Sequence, residues 1–254
     1  MKTNSLTIAI TNVINEMNMS MTFFASILAF LLLASCDCQY EEISMTTIGS
    51  QCNYSCYYQI DGDEGHGTLS MSYDTKDRLI STNRDGRKAV FFQYDAQGTS
   101  LDATDMESQK KTVVTINDRS LPLTVEDISI RYDFDDDRNL HRIYMVNGKG
   151  DLTTFAFKYS QDIVPVEFRH VAYSPLLFCH IVDSNIGTLL SNFQFANMPQ
   201  TCEVMLRTIH GDTESYTLSY RLEDNVLNTT LYRDVKDSGM TTGRQLTAFC
   251  SYSK

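Results

Sequence analysis

Apolar and polar residues alternate along this chain in short runs that are separated by turn residues. The clearest example is Ile128–Tyr159, where apolar or aromatic residues stand at positions 128, 130, 132 and 134, with polar residues between them. A period of two with β-branched and aromatic residues is typical of a strand with one buried face. Asn147-Gly148 separates the next two runs, and Asn-Gly at such a place indicates a hairpin. The stretch therefore predicts three consecutive antiparallel strands.

The same rhythm continues through residues 52–254 and predicts about twelve short strands. Short connections favour sequential antiparallel pairing, so the predicted fold is all-β, an antiparallel meander that forms a soluble barrel or a strongly curved sheet. Two segments depart from the rhythm: Ile163–Tyr173 is predicted as a longer strand, and residues 183–192 as a short helix. Most runs are shorter than the roughly 9–11 residues of a membrane-spanning strand, which argues against a transmembrane barrel.

The beginning of the chain has the pattern of an export signal. Met21–Leu33 is an apolar run that is too short to span a membrane as a helix, and Leu33-Ala34-Ser35-Cys36 follows it directly. This resembles the lipobox of bacterial lipoproteins, which implies that Cys36 is lipidated and becomes the first mature residue. We therefore expect a signal peptide at 1–35, a tether at 36–51 and a β-domain at 52–254. An ordinary signal peptide that is cleaved nearby is the alternative.

Acidic residues follow the predicted lipidation site at positions 37, 41 and 42. Their placement resembles the surface-export signal of Bacteroidetes-type lipoproteins. The implied location is the outer membrane, with the protein facing either the periplasm or the cell surface. The implied membrane partner is the bilayer, reached through the lipid on Cys36.

A Tyr-Asp pair recurs where a predicted strand ends and a polar turn begins. It occurs as Tyr73-Asp74, Tyr94-Asp95 and Tyr132-Asp133, with degenerate copies at Tyr159 and Tyr220. The Tyr ring covers the buried face, and the Asp carboxylate can bond the backbone of the following turn. The pattern resembles the Tyr-Asp repeat. Together with the lipobox, it resembles a family of uncharacterised Bacteroidetes lipoproteins whose domain of unknown function is described as porin-like.

Seven cysteines are present, and six remain once Cys36 is assigned to lipid. Cys202 and Cys250 both fall on the apolar face of their strands, so we expect them to be either two buried thiols or one disulfide. Cys52 and Cys56 are about 13 Å apart on an extended strand, so they cannot pair without a bend.

Candidate chemistry is sparse. Asp61–Gly65 and Asp133–Asp137 are acidic loops of the kind that hold Ca²⁺, but their spacing differs from that of an EF-hand, and turn chemistry is the favoured interpretation. No nucleophile, zinc-protease or phosphate-loop motif occurs, so neither an enzyme nor a cofactor or metal is expected. The formal charge of -11 argues against nucleic acid as a partner.

The predicted function is that of a lipid-anchored envelope protein that binds or scaffolds. One alternative is a surface module that captures glycans or peptides, for which Tyr73, Tyr94, Tyr132, Tyr159 and Tyr220 are the candidate stacking residues. The other alternative is a hydrolase that uses a pair of carboxylates.

Metabolic labelling with palmitate tests the anchor. We expect the label in the wild-type protein and its loss in Cys36→Ala, because the thiol of Cys36 is the predicted acceptor. A wild-type protein that takes up no label would contradict the lipobox interpretation.

Overall fold

The structure is a computed structural model that describes residues 48–254 except 137, 183, 238 and 239. Cys36, the predicted signal peptide and most of the predicted tether lie outside the described residues. The strands are β1 (Ile48–Ile60), β2 (Asp63–Asp74), β3 (Leu79–Arg84), β4 (Arg87–Tyr94), β5 (Ser100–Asp105), β6 (Lys111–Ile116), β7 (Pro122–Val125), β8 (Ile128–Phe134), β9 (Leu140–Val146), β10 (Leu152–Ile163), β11 (Asn197–Arg207), β12 (Thr213–Glu223), β13 (Val226–Asp237) and β14 (Met240–Ser253). Between β10 and β11 lie α1 (Pro175–Ile181), α2 (Ser184–Leu189) and 3₁₀ turns at Val166–Phe168 and Leu190–Asn192.

Every described strand pairs in antiparallel fashion with the next, and β1 pairs with β14 from Ser55↔Ser253 to Ile60↔Ala248. The described strands therefore form a closed barrel, which confirms the all-β prediction. They number fourteen, more than predicted, and β1 begins at Ile48 within the predicted tether. The prediction of short strands is wrong for β1, β2 and β10–β14, which have 11 to 14 residues each. Closure pairs the two terminal strands along residues 55–60 of β1 and 248–253 of β14, so the sheet is continuous around the circumference there.

The wall of the barrel turns its apolar face inward. In β6, the side chains of Thr112, Val114 and Ile116 are buried, while the residues between them are exposed. The outer face carries charges, for example the ion pairs Lys111–Asp102 and Lys158–Glu203, each at 2.6 Å between neighbouring strands. A lipid-facing wall would have the opposite polarity. No helix in the described part of the chain has the length and apolar character needed to cross a bilayer.

The described residues of 164–196 fill the interior of the barrel, and we call them the plug segment. Its helices reach opposite walls: α1 contacts β14, and α2 contacts β7, half the circumference away. The Phe178 ring stacks on those of Phe155 and Phe157 from β10, with centroids 4.8 and 6.1 Å away. Tyr173 and Phe178 are fully buried. The apolar core is thus shared by the wall and the plug segment.

Tyrosine hydroxyls from the wall hydrogen-bond the backbone of the plug segment. Tyr54 of β1 donates to the carbonyl of Glu167 at 2.8 Å, and Tyr220 of β12 donates to that of Tyr173 at 3.3 Å. Tyr252 of β14 accepts the N–H of Leu176 at 2.9 Å. Buried backbone groups need such partners, because leaving one unpaired costs about 1–3 kcal/mol.

Asn192 ties the end of the plug segment to three places on the wall. Its Oδ1 accepts the N–H of Leu79 at 2.6 Å. Its Nδ2 donates to the carbonyl of Ser120 at 2.9 Å and to the hydroxyl of Tyr94 at 3.2 Å. One side chain therefore fixes β3, β4 and the β6–β7 turn relative to the plug.

Two local predictions change in this region. The predicted strand at Ile163–Tyr173 is wrong, because β10 ends at Ile163 and the following residues turn inward through a 3₁₀ turn. Val171 and Tyr173 are fully buried there, so their apolar character reflects burial inside the barrel. The predicted helix at 183–192 is present as α2 and its 3₁₀ extension. The preceding helix, α1, was not predicted, although Pro175 stands at its first position.

We expect Asn192→Ala to lower the free energy of unfolding by about 2–4 kcal/mol, because three hydrogen bonds are lost and the N–H of Leu79 loses this partner in a buried position. Denaturant unfolding measures the change. The control is Gln194→Ala, an exposed amide two residues away, which we expect to shift stability by no more than about 0.5 kcal/mol. Equal stability of the two variants would contradict the role of Asn192.

Candidate ligand-binding cleft

The turns at one end of the barrel share one construction. We call this end, where the plug segment enters, the plug end; it carries the β2–β3, β4–β5, β6–β7 and β8–β9 turns. An Asp or Asn opens each turn, and its side chain accepts backbone N–H groups of the turn. Asp74 Oδ1 accepts those of Lys76 and Arg78 at 2.8 and 2.9 Å, and Asn117 Oδ1 accepts those of Arg119 and Leu121 at 2.9 and 3.0 Å.

The fourth residue of each of these turns has a left-handed backbone. The φ angles are 63° at Asp77, 73° at Gly98, 58° at Ser120 and 65° at Arg138. This conformation costs little for Gly98 and Asp77, whereas Ser120 and Arg138 are residue types that rarely adopt it. The capping bonds of the first residue offset that cost and fix the shape of the turn.

This turn construction explains why a Tyr-Asp pair recurs at the ends of strands. In Tyr73-Asp74 and Tyr94-Asp95 the tyrosine lies at or next to the end of its strand, and the Asp that follows caps the turn, as predicted. The predicted copy at Tyr132-Asp133 is displaced by two residues. Asp133 lies within β8 opposite Arg142, and the residue that caps the turn is Asp135, whose Oδ1 accepts the N–H of Asn139 at 2.7 Å.

The candidate stacking tyrosines all support the barrel from inside. Tyr94, Tyr132 and Tyr159 each donate to the carbonyl of the residue that opens the preceding strand, namely Leu79, Pro122 and Leu140, at 3.0, 2.7 and 2.5 Å.

The other two candidates are fully or almost fully buried. The Tyr73 ring stacks on His170 of the plug segment with centroids 4.2 Å apart, and Tyr220 bonds the plug backbone as described above. Burial raises the pKa of all five hydroxyls. These five side chains are engaged within the barrel, and a ligand-stacking role for them stays a prediction.

A cleft of about 690 Å³ opens between the plug-end turns and the last residues of the plug segment. Its lining comes from the four turns described above and from residues 192–196. The lining residues are Lys76, Asp77, Arg78, Gly98, Asp118, Arg119, Ser120, Arg138, Asn192, Phe193, Gln194 and Ala196. A volume of this order suits a small ligand.

Two of the arginines in the cleft lie over aromatic rings. The guanidinium of Arg78 is 4.2 Å from the centroid of Tyr94 and forms an ion pair with Asp74 at 2.7 Å. The guanidinium of Arg119 is 4.1 Å from the centroid of Phe134. Stacking covers one face of each guanidinium and leaves its N–H edge available for hydrogen bonds.

Two carboxylates line the cleft. Asp77 Oδ2 accepts a hydrogen bond from Gln194 Nε2 at 2.9 Å, and Gln194 Oε1 in turn accepts one from Arg169 at 3.1 Å. Asp118 is exposed in the β6–β7 turn. No group of three or more His, Cys, Asp or Glu side chains in the described residues could hold a metal ion. At the acidic stretch Asp61–Gly65, Asp61 and Gly62 form the β1–β2 turn with φ of 53° and 87°.

The sequence patterns did not predict the cleft. Lys76 and Arg119 each occupy the third position of a plug-end turn, and Arg138 the fourth position of another. The sequence did contain a signal for the cleft, because basic residues recur at the third or fourth position of these turns. Their convergence depends on the barrel closing and on the plug segment, which the periodicity did not predict.

Cys202 and Cys250 are buried free thiols. The first lies on β11 and the second on β14, three strand spacings or about 14 Å apart across the sheet. The Cα atoms of a disulfide lie within about 7 Å, so of the two predicted alternatives the structure has the thiols. Burial raises the pKa of both, that of Cys250 to about 12. Cys52 and Cys56 are likewise unpaired.

Comparison with known proteins gives similarity at the level of structure. No protein-family model matches the sequence, and no curated protein matches it. A porin-like protein from Bacteroides uniformis is 12% identical, with 82% of this chain and 96% of that chain covered and a TM-score of 0.44. A porin-like protein from Bacteroides vulgatus is 11% identical, with 78% of this chain and 96% of that chain covered and a TM-score of 0.35. Neither similarity assigns a role to a residue of the cleft.

Alkylation followed by peptide mapping tests the thiols. In the native protein at pH 8 we expect Cys202 and Cys250 to resist alkylation, because burial limits both access and thiolate formation. After unfolding without a reductant, both should react, and adding a reductant should release no further thiol from either. A cross-linked peptide that joins the two would contradict the structure.

Proposed function

We propose that this chain is a non-catalytic, lipid-anchored protein of the cell envelope that binds a small ligand in the plug-end cleft. The observation that carries the proposal is a solvent-open cleft at the mouth of a barrel whose interior is already occupied by the plug segment. The barrel then serves as a rigid frame for the plug-end turns. Binding sites on turns held by a rigid frame are common in proteins.

The filled interior disfavours two other uses of a barrel. A channel needs a continuous aqueous passage, and a lipocalin-type carrier needs an empty lumen. Here the lumen holds the stacked rings of Phe155, Phe157 and Phe178 together with α1 and α2. Ligand binding is therefore assigned to the mouth of the barrel rather than to its lumen.

The closed wall also bears on the alternative of peptide capture. Peptides are often bound as an added strand at a free sheet edge. The seam between β1 and β14 pairs only from Ser55↔Ser253 to Ile60↔Ala248, so residues 48–54 of β1 and 240–247 of β14 have no partner strand on that side. The cleft is lined by turns and by residues 192–196 rather than by such an edge, so within the cleft a glycan or other small molecule fits better than an extended peptide.

The hydrolase alternative has weaker support. Its carboxylate pair would be Asp77 and Asp118, the carboxylates that line the cleft. Asp77 is engaged by Gln194, and no His or Cys belongs to the described lining.

The lipid anchor on Cys36 is inferred from the lipobox pattern, and the proposed envelope location is inferred from the same pattern.

A glycan array combined with a panel of small metabolites tests the cleft. Ala196 is exposed on the cleft wall, so Ala196→Trp should fill the cleft and abolish binding of the ligands that the wild-type protein retains. The matched control is Gly243→Trp on β14, where an added side chain meets open space outside the cleft and binding should be unchanged. Mass spectrometry should recover the bound ligands chemically unaltered.

Two results would count against the proposal. One is retention of binding in Ala196→Trp with normal thermal stability, which would place the ligand elsewhere. The other is turnover of a ligand by the wild-type protein that is lost in Asp77→Asn or Asp118→Asn, which would favour the hydrolase.

A further inference from the structure

We infer that the ligand of the cleft carries a phosphate monoester, held between Lys76, Arg119 and Arg138. This inference rests on the proposed function, since it requires that the cleft binds a ligand. It adds the chemical class of that ligand and the residues that recognise it.

Three separate turns bring these cations to one cleft. Lys76 comes from the β2–β3 turn, Arg119 from the β6–β7 turn and Arg138 from the β8–β9 turn. Acidic residues outnumber basic ones in this chain by 32 to 21, so a cleft whose lining has four basic residues and two acidic ones stands out. Such a local excess of positive charge attracts anions.

None of the three cations is in an ion pair with a carboxylate of the described residues. Basic residues on the outer wall, in contrast, do form ion pairs. Lys158 pairs with Glu203 at 2.6 Å, and Arg233 pairs with Glu214 at 2.7 Å. The cleft cations therefore keep their hydrogen-bond donors available for a ligand.

The acidic groups around the cleft are mostly engaged. Asp74 neutralises Arg78, Asp77 accepts from Gln194, and Asp135 caps Asn139. Asp118 is the carboxylate in the described lining without such a bond. Apart from Arg78, which is paired with Asp74, the lining has three cations (Lys76, Arg119 and Arg138) and two carboxylates (Asp77 and Asp118). Its net charge is therefore positive.

The backbone of two of these turns is fixed before a ligand arrives, and one of the three side-chain donors is supported as well. Asp74 and Asn117 fix the backbone N–H groups of Lys76 and Arg119, and Phe134 supports the guanidinium of Arg119. A supported guanidinium presents a planar pair of N–H donors, which match two oxygens of a phosphate. Preorganisation of this kind lowers the entropic cost of binding.

The size of the cleft and the charge of the chain select a small ligand. A cleft of about 690 Å³ has room for a sugar-sized molecule beside the phosphate. A polyanion such as nucleic acid would meet the net charge of -11 beyond the cleft. The assignment is therefore to a soluble phosphomonoester of about the size of a sugar phosphate.

Calorimetric titration at matched ionic strength, with glucose 6-phosphate and glucose as probes, tests the inference. We expect the wild-type protein to bind glucose 6-phosphate at least tenfold more tightly than glucose. Lys76→Gln, Arg119→Gln and Arg138→Gln should each weaken glucose 6-phosphate binding by about tenfold or more, the loss expected for one charge-assisted hydrogen bond. Arg119→Lys, which keeps the charge but loses the planar donors, should fall between Arg119→Gln and the wild type.

The control is Lys149→Gln. Lys149 is the third residue of the β9–β10 turn, so it matches Lys76 and Arg119 in turn position, and it lies at the opposite end of the barrel. Its replacement should leave binding unchanged. Thermal melting of every variant separates loss of binding from loss of fold.

The outcomes distinguish this inference from the proposed function. Equal binding of glucose and glucose 6-phosphate, insensitive to the three Gln variants but abolished by Ala196→Trp, would overturn the phosphate assignment and leave the cleft as a binding site. Binding of phosphatidylglycerol vesicles without binding of glucose 6-phosphate would overturn the assignment to a soluble ligand. If no ligand of the array, the metabolite panel or this titration binds in the cleft, both proposals fail.

Discussion

A closed barrel of fourteen strands encloses more space than the side chains of its own wall fill. Barrels of about eight strands are packed by their inward side chains, whereas those of sixteen or more leave an aqueous channel. The described wall is apolar inside, so an open lumen would expose that surface to water. The plug segment resolves this conflict because it brings Tyr173, Phe178 and their neighbours into the lumen. The core of this protein depends on that insertion.

Filling a lumen with polypeptide brings backbone polar groups into an apolar space, where they need hydrogen-bond partners. The inward tyrosines supply these partners. Each has a ring that packs and a hydroxyl that can bond a carbonyl or an N–H. Tyr54, Tyr220 and Tyr252 serve the plug segment, while Tyr94 and Tyr159 serve neighbouring strands. The abundance of Tyr in this chain therefore reflects the construction of the barrel.

The sequence predicts this structure well where the information is local. Alternation gave the strands, and the Asp and Asn residues gave the turns, although the copy at Tyr132-Asp133 was placed two residues early. The plug segment could not be predicted in this way, because residues such as Val171 are buried by surrounding strands and show no period. The cleft was missed for a related reason: Lys76, Arg119 and Arg138 are ordinary turn residues until closure of the barrel brings their turns together.

The pairing of β1 with β14 has a consequence for how the chain reaches its native state. These strands stand at opposite ends of the described sequence, so Ser55 meets Ser253 only after all intervening hairpins are available. Contacts between such distant residues form slowly, because loop closure must precede them. We therefore expect folding to finish at the seam, with the hairpins formed early and the two terminal strands joining last.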